Sequence, residues 1–288
     1  MPDNRLRSRD RKLALIGPIV IAAAVGAIIA FAVFSRDREA PPAPPPAPPP
    51  VQAPPAALAP LPPPPLSRTE LIAAANEAAG AYADRSSDKT QVKDALIGRR
   101  FSLKIPFGCN GAQVSPGGAQ AFAEYDATKK TLRLVARPAA WKTLPLVQGL
   151  ADVDQIESVE GFWIPRPWSA SEACPPRRDD AIPATPTAPT APTLGLARLF
   201  MTGGTRALQR GERPYEFVQK IADGDVASLS RSFNLVLQGR LVGFDRSTAL
   251  RCWSESTAHR PICLYAVEFD RIAFEDGADG KILAEWRE

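Results

Sequence analysis

The sequence predicts an α+β domain, rich in β-strand and opened by one helix, carried behind a single transmembrane helix and a proline-rich linker. Three observations predict it. Residues 13–34 carry no charged side chain, fifteen of the twenty-five residues from Pro41 to Pro65 are proline, and the remainder holds eight or nine alternating apolar segments against one with helical spacing.

The apolar run, LALIGPIVIAAAVGAIIAFAVF, would extend roughly 33 Å as a helix, enough for a hydrocarbon layer of about 30 Å. Pro18 falls in its first turns, where a missing backbone donor costs least. A cleaved signal peptide is the rival, with Ala30–Ala32 as an A-x-A site. Its apolar core, Leu13 to Ile29, would exceed the usual length of about 7–15 residues, so a retained anchor is expected. Residues 1–12 form a basic stub with Arg5, Arg7, Arg9, Arg11 and Lys12 against Asp3 and Asp10, whereas residues 36–39 are balanced. That asymmetry predicts an N-terminus in the cytoplasm and export of everything from Ser35 onward. The chain is expected in the inner (cytoplasmic) membrane with its C-terminal domain periplasmic.

The stub also carries most of the formal net charge of +4, so the pI of 9.0 says little about the rest of the chain. The region beyond the proline run is near neutral, which disfavours a nucleic-acid groove. Four cysteines, all beyond the span, predict two disulfides in an oxidising compartment. Cys252 pairs with Cys263 if RCWSESTAHRPICLYAVEF is two strand ends around a polar turn, which leaves Cys109 with Cys174 by parity. A four-cysteine zinc site lacks any C-x2-C knuckle, and no metal or cofactor is expected.

The linker, residues 35–66, can be neither helix nor sheet over its prolines. As polyproline II, Pro41–Pro65 would reach roughly 78 Å at about 3.1 Å per residue, a tether between membrane and domain. The domain, residues 67–288, opens with Ser67 and Glu70 in capping-box spacing, followed by Leu71, Ala74, Ala75, Ala78 and Tyr82 on one helical face. FSLKIPF then alternates Phe101, Leu103, Ile105 and Phe107, and residues 119–138 form a hairpin turning near Asp126 to Lys130. Further strands are expected at 156–164, 194–201, 215–221, 234–244, 262–274 and 281–287. AIPATPTAPTAPT, residues 181–193, reads as a Thr/Pro/Ala loop.

Catalytic signals are few. His259 is the one histidine, at an expected hairpin tip near Glu255 and Ser256, and no G-x-S-x-G elbow marks a nucleophile. Asp152 with Asp154, expected on one strand face, and Asp223 with Asp225, expected in a turn, repeat a D-x-D spacing that suits structure better than a cation. MTGGTR lacks the lysine and spacing of a phosphate-binding loop. The most suggestive stretch is EGFWIPRPWSASEACPPRRDD. Its Trp163, Arg166 and Trp168 combine flat apolar rings with a guanidinium fork, which suits a glycan, a peptide or another protein. A packing role, with Trp163 in the core, Trp168 over an edge and Arg166 on an indole face, answers the same pattern.

Stub, span, proline rod and exported domain together resemble the architecture of TonB-type energy transducers and of bitopic envelope-assembly or secretion components. The TonB span carries a histidine and residues 13–34 hold no ionisable group, so the transducing activity does not carry over. The expected function is a membrane-anchored periplasmic binding or scaffold protein of the cell envelope with an envelope protein or glycan as partner. The alternative is an anchored enzyme acting on envelope glycan or peptide. Ala22, Gly26 and Ala30 add a small-xxx-small face through which the chain could form a homodimer.

Overall fold

The computed structural model describes residues 62–84, 95–112, 118–176, 192–211, 213–222, 225, 229–244 and 248–288. The stub, the expected span, most of the linker and residues 181–191 of the Thr/Pro/Ala loop lie outside these. Among the described residues no helix is long and apolar enough to cross a membrane.

They form a β-rich domain with few helices. Helix α1 (Arg68–Ala83) starts at a complete capping box: the Ser67 N–H donates to the Glu70 carboxylate at 2.7 Å, and Ser67 Oγ accepts from the Glu70 N–H. The backbone N–H and the hydroxyl of Ser67, both donating to the Glu70 carboxylate at 2.7 Å, hold that carboxyl below its ordinary range. The helix buries Leu71, Ile72, Ala75, Ala78 and Ala81. Tyr82, expected on that face, is instead exposed at the rim, where its hydroxyl accepts from the Ser254 N–H at 3.3 Å.

The strands are β1 (Arg100–Phe107), β2 (Ala121–Asp126), β3 (Thr131–Ala136), β4 (Ala139–Ala140), β5 (Ile156–Trp163), β6 (Leu194–Met201), β7 (Tyr215–Lys220), β8 (Phe233–Leu241), β9 (Leu250–Trp253), β10 (Ile262–Asp276) and β11 (Ile282–Arg287). A short helix α2 (Pro145–Gln148) and a 3-10 turn (Val153–Gln155) lie between β4 and β5. One sheet runs β1-β8-β10-β6-β5-β4, with β9 and β11 also paired to β10, and a second runs β2-β3-β7.

Strand β10 is the spine, and its residue pattern explains how it serves both halves. Cys263, Tyr265, Val267 and Phe269 alternate into the main core, while Leu264 and Ala266 enter a second core with Trp141, Val147 and Val159. Between Phe269 and Arg271 the register against β8 shifts by one residue, leaving Asp270 unpaired in that ladder. Without the bulge the next apolar residues would face the wrong way; with it, Ile272 and Phe274 return to the main core.

That core is threaded by a continuous string of aromatic rings, Phe233, Phe107, Phe274, Trp286, Tyr215, Phe162, Phe269 and Phe101, with successive centroids 5.0–6.2 Å apart. Tyr215 ties the three-stranded sheet to β5 and β11 in this way. Burying each such ring stabilises the fold by about 2 kcal/mol.

The outer edge of β1 is closed by the end of the linker. Leu66, buried within the domain, accepts from the Ser102 N–H at 3.1 Å and donates to the Arg100 carbonyl at 2.7 Å. Further along, the Lys104 N–H donates to the Glu172 carboxylate at 3.0 Å, and Pro106 has no N–H to offer. An edge so occupied cannot template another strand.

Candidate binding groove

Strand β5 ends at Trp163 because Pro165 and Pro167 cannot continue a ladder. The chain then turns through Arg166, whose φ of +52° lies in the left-handed region that L side chains rarely adopt. Three devices hold this turn. The first is Arg68, only 2% exposed, whose Nε donates to the Ser169 carbonyl at 2.8 Å and whose Nη2 donates to the carbonyls of Pro165 and, at 3.2 Å, Arg166. Burial, and the nearby Arg166 charge, press the Arg68 pKa below its ordinary value, with Glu172 opposing. The second is the disulfide from Cys174 to Cys109, Cα atoms 5.5 Å apart, which fastens the far end of the segment beyond β1. The third is Gln120, whose side-chain amide accepts from the Trp163 N–H at 2.8 Å and donates to the Trp163 carbonyl at 2.6 Å, as a neighbouring strand would.

The segment so held forms one wall of a groove of about 540 Å³. The opposite wall is the end of β1 with Gly108 and Cys109, together with the start of β2 at Ala121 and Phe122. Trp163 is half-buried, its ring 4.5 Å from that of Trp141, and it closes the groove floor against the second core. Trp168 is 65% exposed at the mouth, and its indole N–H makes no hydrogen bond to a described residue. Arg166 is the one ionisable side chain among the described lining residues, with its Nη2 donating to the Ala173 carbonyl at 2.9 Å.

Trp163, Arg166 and Trp168 are thus brought to one surface. Packing accounts for part of that arrangement, since Trp163 leans on Trp141, but it does not account for Trp168. The expected disulfides are both present: Cys252 and Cys263 sit directly opposite each other in the β9–β10 ladder, Cα atoms 4.1 Å apart. Arg68 and Gln120 were not legible as site residues. Arg68 carried a faint signal, because a cation in the first turn of a helix opposes the helix dipole and so wants another reason to be there. Gln120 carried none.

The other candidates lie elsewhere. His259 is exposed in the β9–β10 turn, its Nδ1 2.8 Å from Ser256 Oγ in a local contact. Asp152 and Asp154 do not share a strand face: Asp152 precedes the 3-10 turn and Asp154 lies in it, because the chain is still turning after α2 and β5 begins only at Ile156. Asp223 lies outside the described residues. Among the described residues no group of three or more His, Cys, Asp or Glu side chains is placed to hold a metal ion. Comparison with protein-family models, with curated proteins and with solved structures gave no match.

Proposed function

We propose that the chain is a membrane-anchored binding or scaffold protein of the cell envelope, whose periplasmic domain receives a partner in the Trp163–Trp168 groove while the proline-rich linker sets the domain away from the inner membrane. One observation carries this reading. A buried arginine, a disulfide and a glutamine fix a strained turn whose most prominent ring, Trp168, points into solvent beside an apolar groove. Packing alone gives no reason to hold an exposed tryptophan so firmly, whereas a pre-organised aromatic anchor lowers the ordering cost of binding. The lining favours binding over catalysis, since Arg166 stands there without a nucleophile or paired acids among the described residues.

In-cell photocrosslinking from position 168 tests the reading, with position 218 on the exposed three-stranded sheet as control. An envelope component captured from 168 and not from 218, and lost when Arg68 is replaced, is the expected result. Equal capture from both positions would overturn it. A reporter fused after Glu288 should be active only outside the cytoplasm, and cytoplasmic activity would remove the envelope assignment.

A further inference from the structure

We infer that the groove takes an extended, proline-containing peptide segment that carries a carboxylate, with the carboxylate placed on Arg166; this rests on the groove being a binding site. Charge is the first argument. Among the described residues no aspartate or glutamate lines the groove, and Arg166 has no ion pair. Arg68 stands close enough to it to be felt electrostatically, and the Arg137 guanidinium lies over the ring of the lining residue Phe122 at 5.0 Å. Glu172 offsets part of this charge, but it does not line the groove and one of its oxygens is taken by the Lys104 N–H. Among the described residues the local excess is positive, so an occupant with an anionic group is complementary to it.

The polar groups decide between a peptide and a sugar. Pro106, Pro165, Pro167 and Pro192 supply no backbone donors to the wall, and both backbone groups of Trp163 are occupied by Gln120. Strand β2, on the opposite wall, is an edge strand of its sheet and can meet an extended chain, whereas a sugar ring needs several directional partners for its hydroxyls and the proline-rich wall lacks them. What it offers is flat prolyl and indole surface, the indole N–H of Trp168 and the Arg166 fork. A polyproline II segment asks for that combination, because its rings pack on aromatic ridges and its carbonyls point outward as acceptors. The volume of about 540 Å³ suits a short segment.

The test uses the full chain in detergent micelles and three acetylated, amidated proline-rich peptides identical except for a central Glu, Gln or Lys. The expected result, read by tryptophan fluorescence, is that the Glu peptide binds at least about tenfold more tightly than the Lys peptide, a preference that salt weakens. Arg166→Gln should reduce the preference to under about twofold, and the exposed Trp168→Ala should weaken all three peptides by at least about fivefold. Equal binding of the three peptides, or binding of an acidic oligosaccharide in their place, overturns this inference and leaves the binding groove standing. If neither peptides nor oligosaccharide bind and position 168 captures nothing, both fall.

Discussion

The guanidinium of Arg68 donates to the carbonyl of Pro165, 97 residues further along the chain, and so joins the first turn of α1 to the turn that carries Trp168. The same side chain satisfies Ser169 and Arg166. Arg68→Ala should leave these carbonyls without their donor at a cost of about 3 kcal/mol, which for a domain of this size is a fall in Tm of about 6–12 °C. Arg68→Lys, with a point charge in place of a fork, should lose about half as much. Circular dichroism melts of the two variants check this, and a loss below about 1 kcal/mol for Arg68→Ala would mean that the clamp does not stabilise the turn.

The two disulfides should separate in their effects. Cys109–Cys174 closes a span of 65 residues and Cys252–Cys263 one of 11. Loop-closure entropy then gives about 4.3 and about 2.8 kcal/mol respectively. Replacing Cys109 and Cys174 by alanine should therefore cost more stability and also weaken capture from position 168. Replacing Cys252 and Cys263 should cost less and leave capture intact, since that bridge lies under α1. Denaturant midpoints together with crosslinking yields separate the two cases, and the reverse order of effects would refute the assignment of Cys109–Cys174 to the groove.

Local patterns made much of the fold legible and stopped where the fold becomes non-local. The capping box at Ser67 and Glu70, the alternation of Phe101, Leu103, Ile105 and Phe107, and the turn between Cys252 and Cys263 are short-range consequences of backbone period, and the chain states them directly. Sheet order is different. That β6 runs parallel to β10, with Leu194 beside Cys263, depends on which strands meet after collapse, and no residue near either strand announces it. The bulge at Asp270 was hidden for a related reason, because an apolar run with a phase slip reads as one long strand. At the groove, Trp163, Arg166 and Trp168 are contiguous and could be found, whereas Gln120 and Arg68 act through contacts 43 and 97 residues away.

Two tyrosines should make the domain sensitive to alkali. Tyr265 donates to the Leu71 carbonyl and Tyr215 to the Leu208 carbonyl, each at 2.7 Å. Burial pushes both phenols far above their ordinary value; around Tyr215 the charges of Arg210 and Arg198 oppose this and Glu160 reinforces it. The folded state therefore keeps the protons that the unfolded chain releases above about pH 10. Stability contributed by the neutral phenols is complete below that pH and should fall above it by about 1.4 kcal/mol per pH unit for each tyrosine. Tyr265→Phe should halve the slope of this component. Denaturant titrations at stepped alkaline pH, followed by phenolate absorbance, would show phenolate from these residues appearing with unfolding and not before it.

The backbone at Arg166 separates stability from function. Its left-handed φ of +52° costs an L residue about 1–2 kcal/mol that glycine does not incur, while glycine loses roughly 0.5–1 kcal/mol more backbone entropy on folding. Arg166→Ala keeps the strained conformation and loses the bond to the Ala173 carbonyl, so it should destabilise the domain by about 1 kcal/mol. Arg166→Gly loses the same bond but relieves the strain, and should be more stable than Arg166→Ala by up to about 1 kcal/mol. Both lack the guanidinium and should lose the preference for an acidic peptide equally. Denaturant midpoints beside peptide titrations test the pair. If the alanine variant is the more stable of the two, the turn is not strained, and the case that this segment is held in place for binding loses its energetic support.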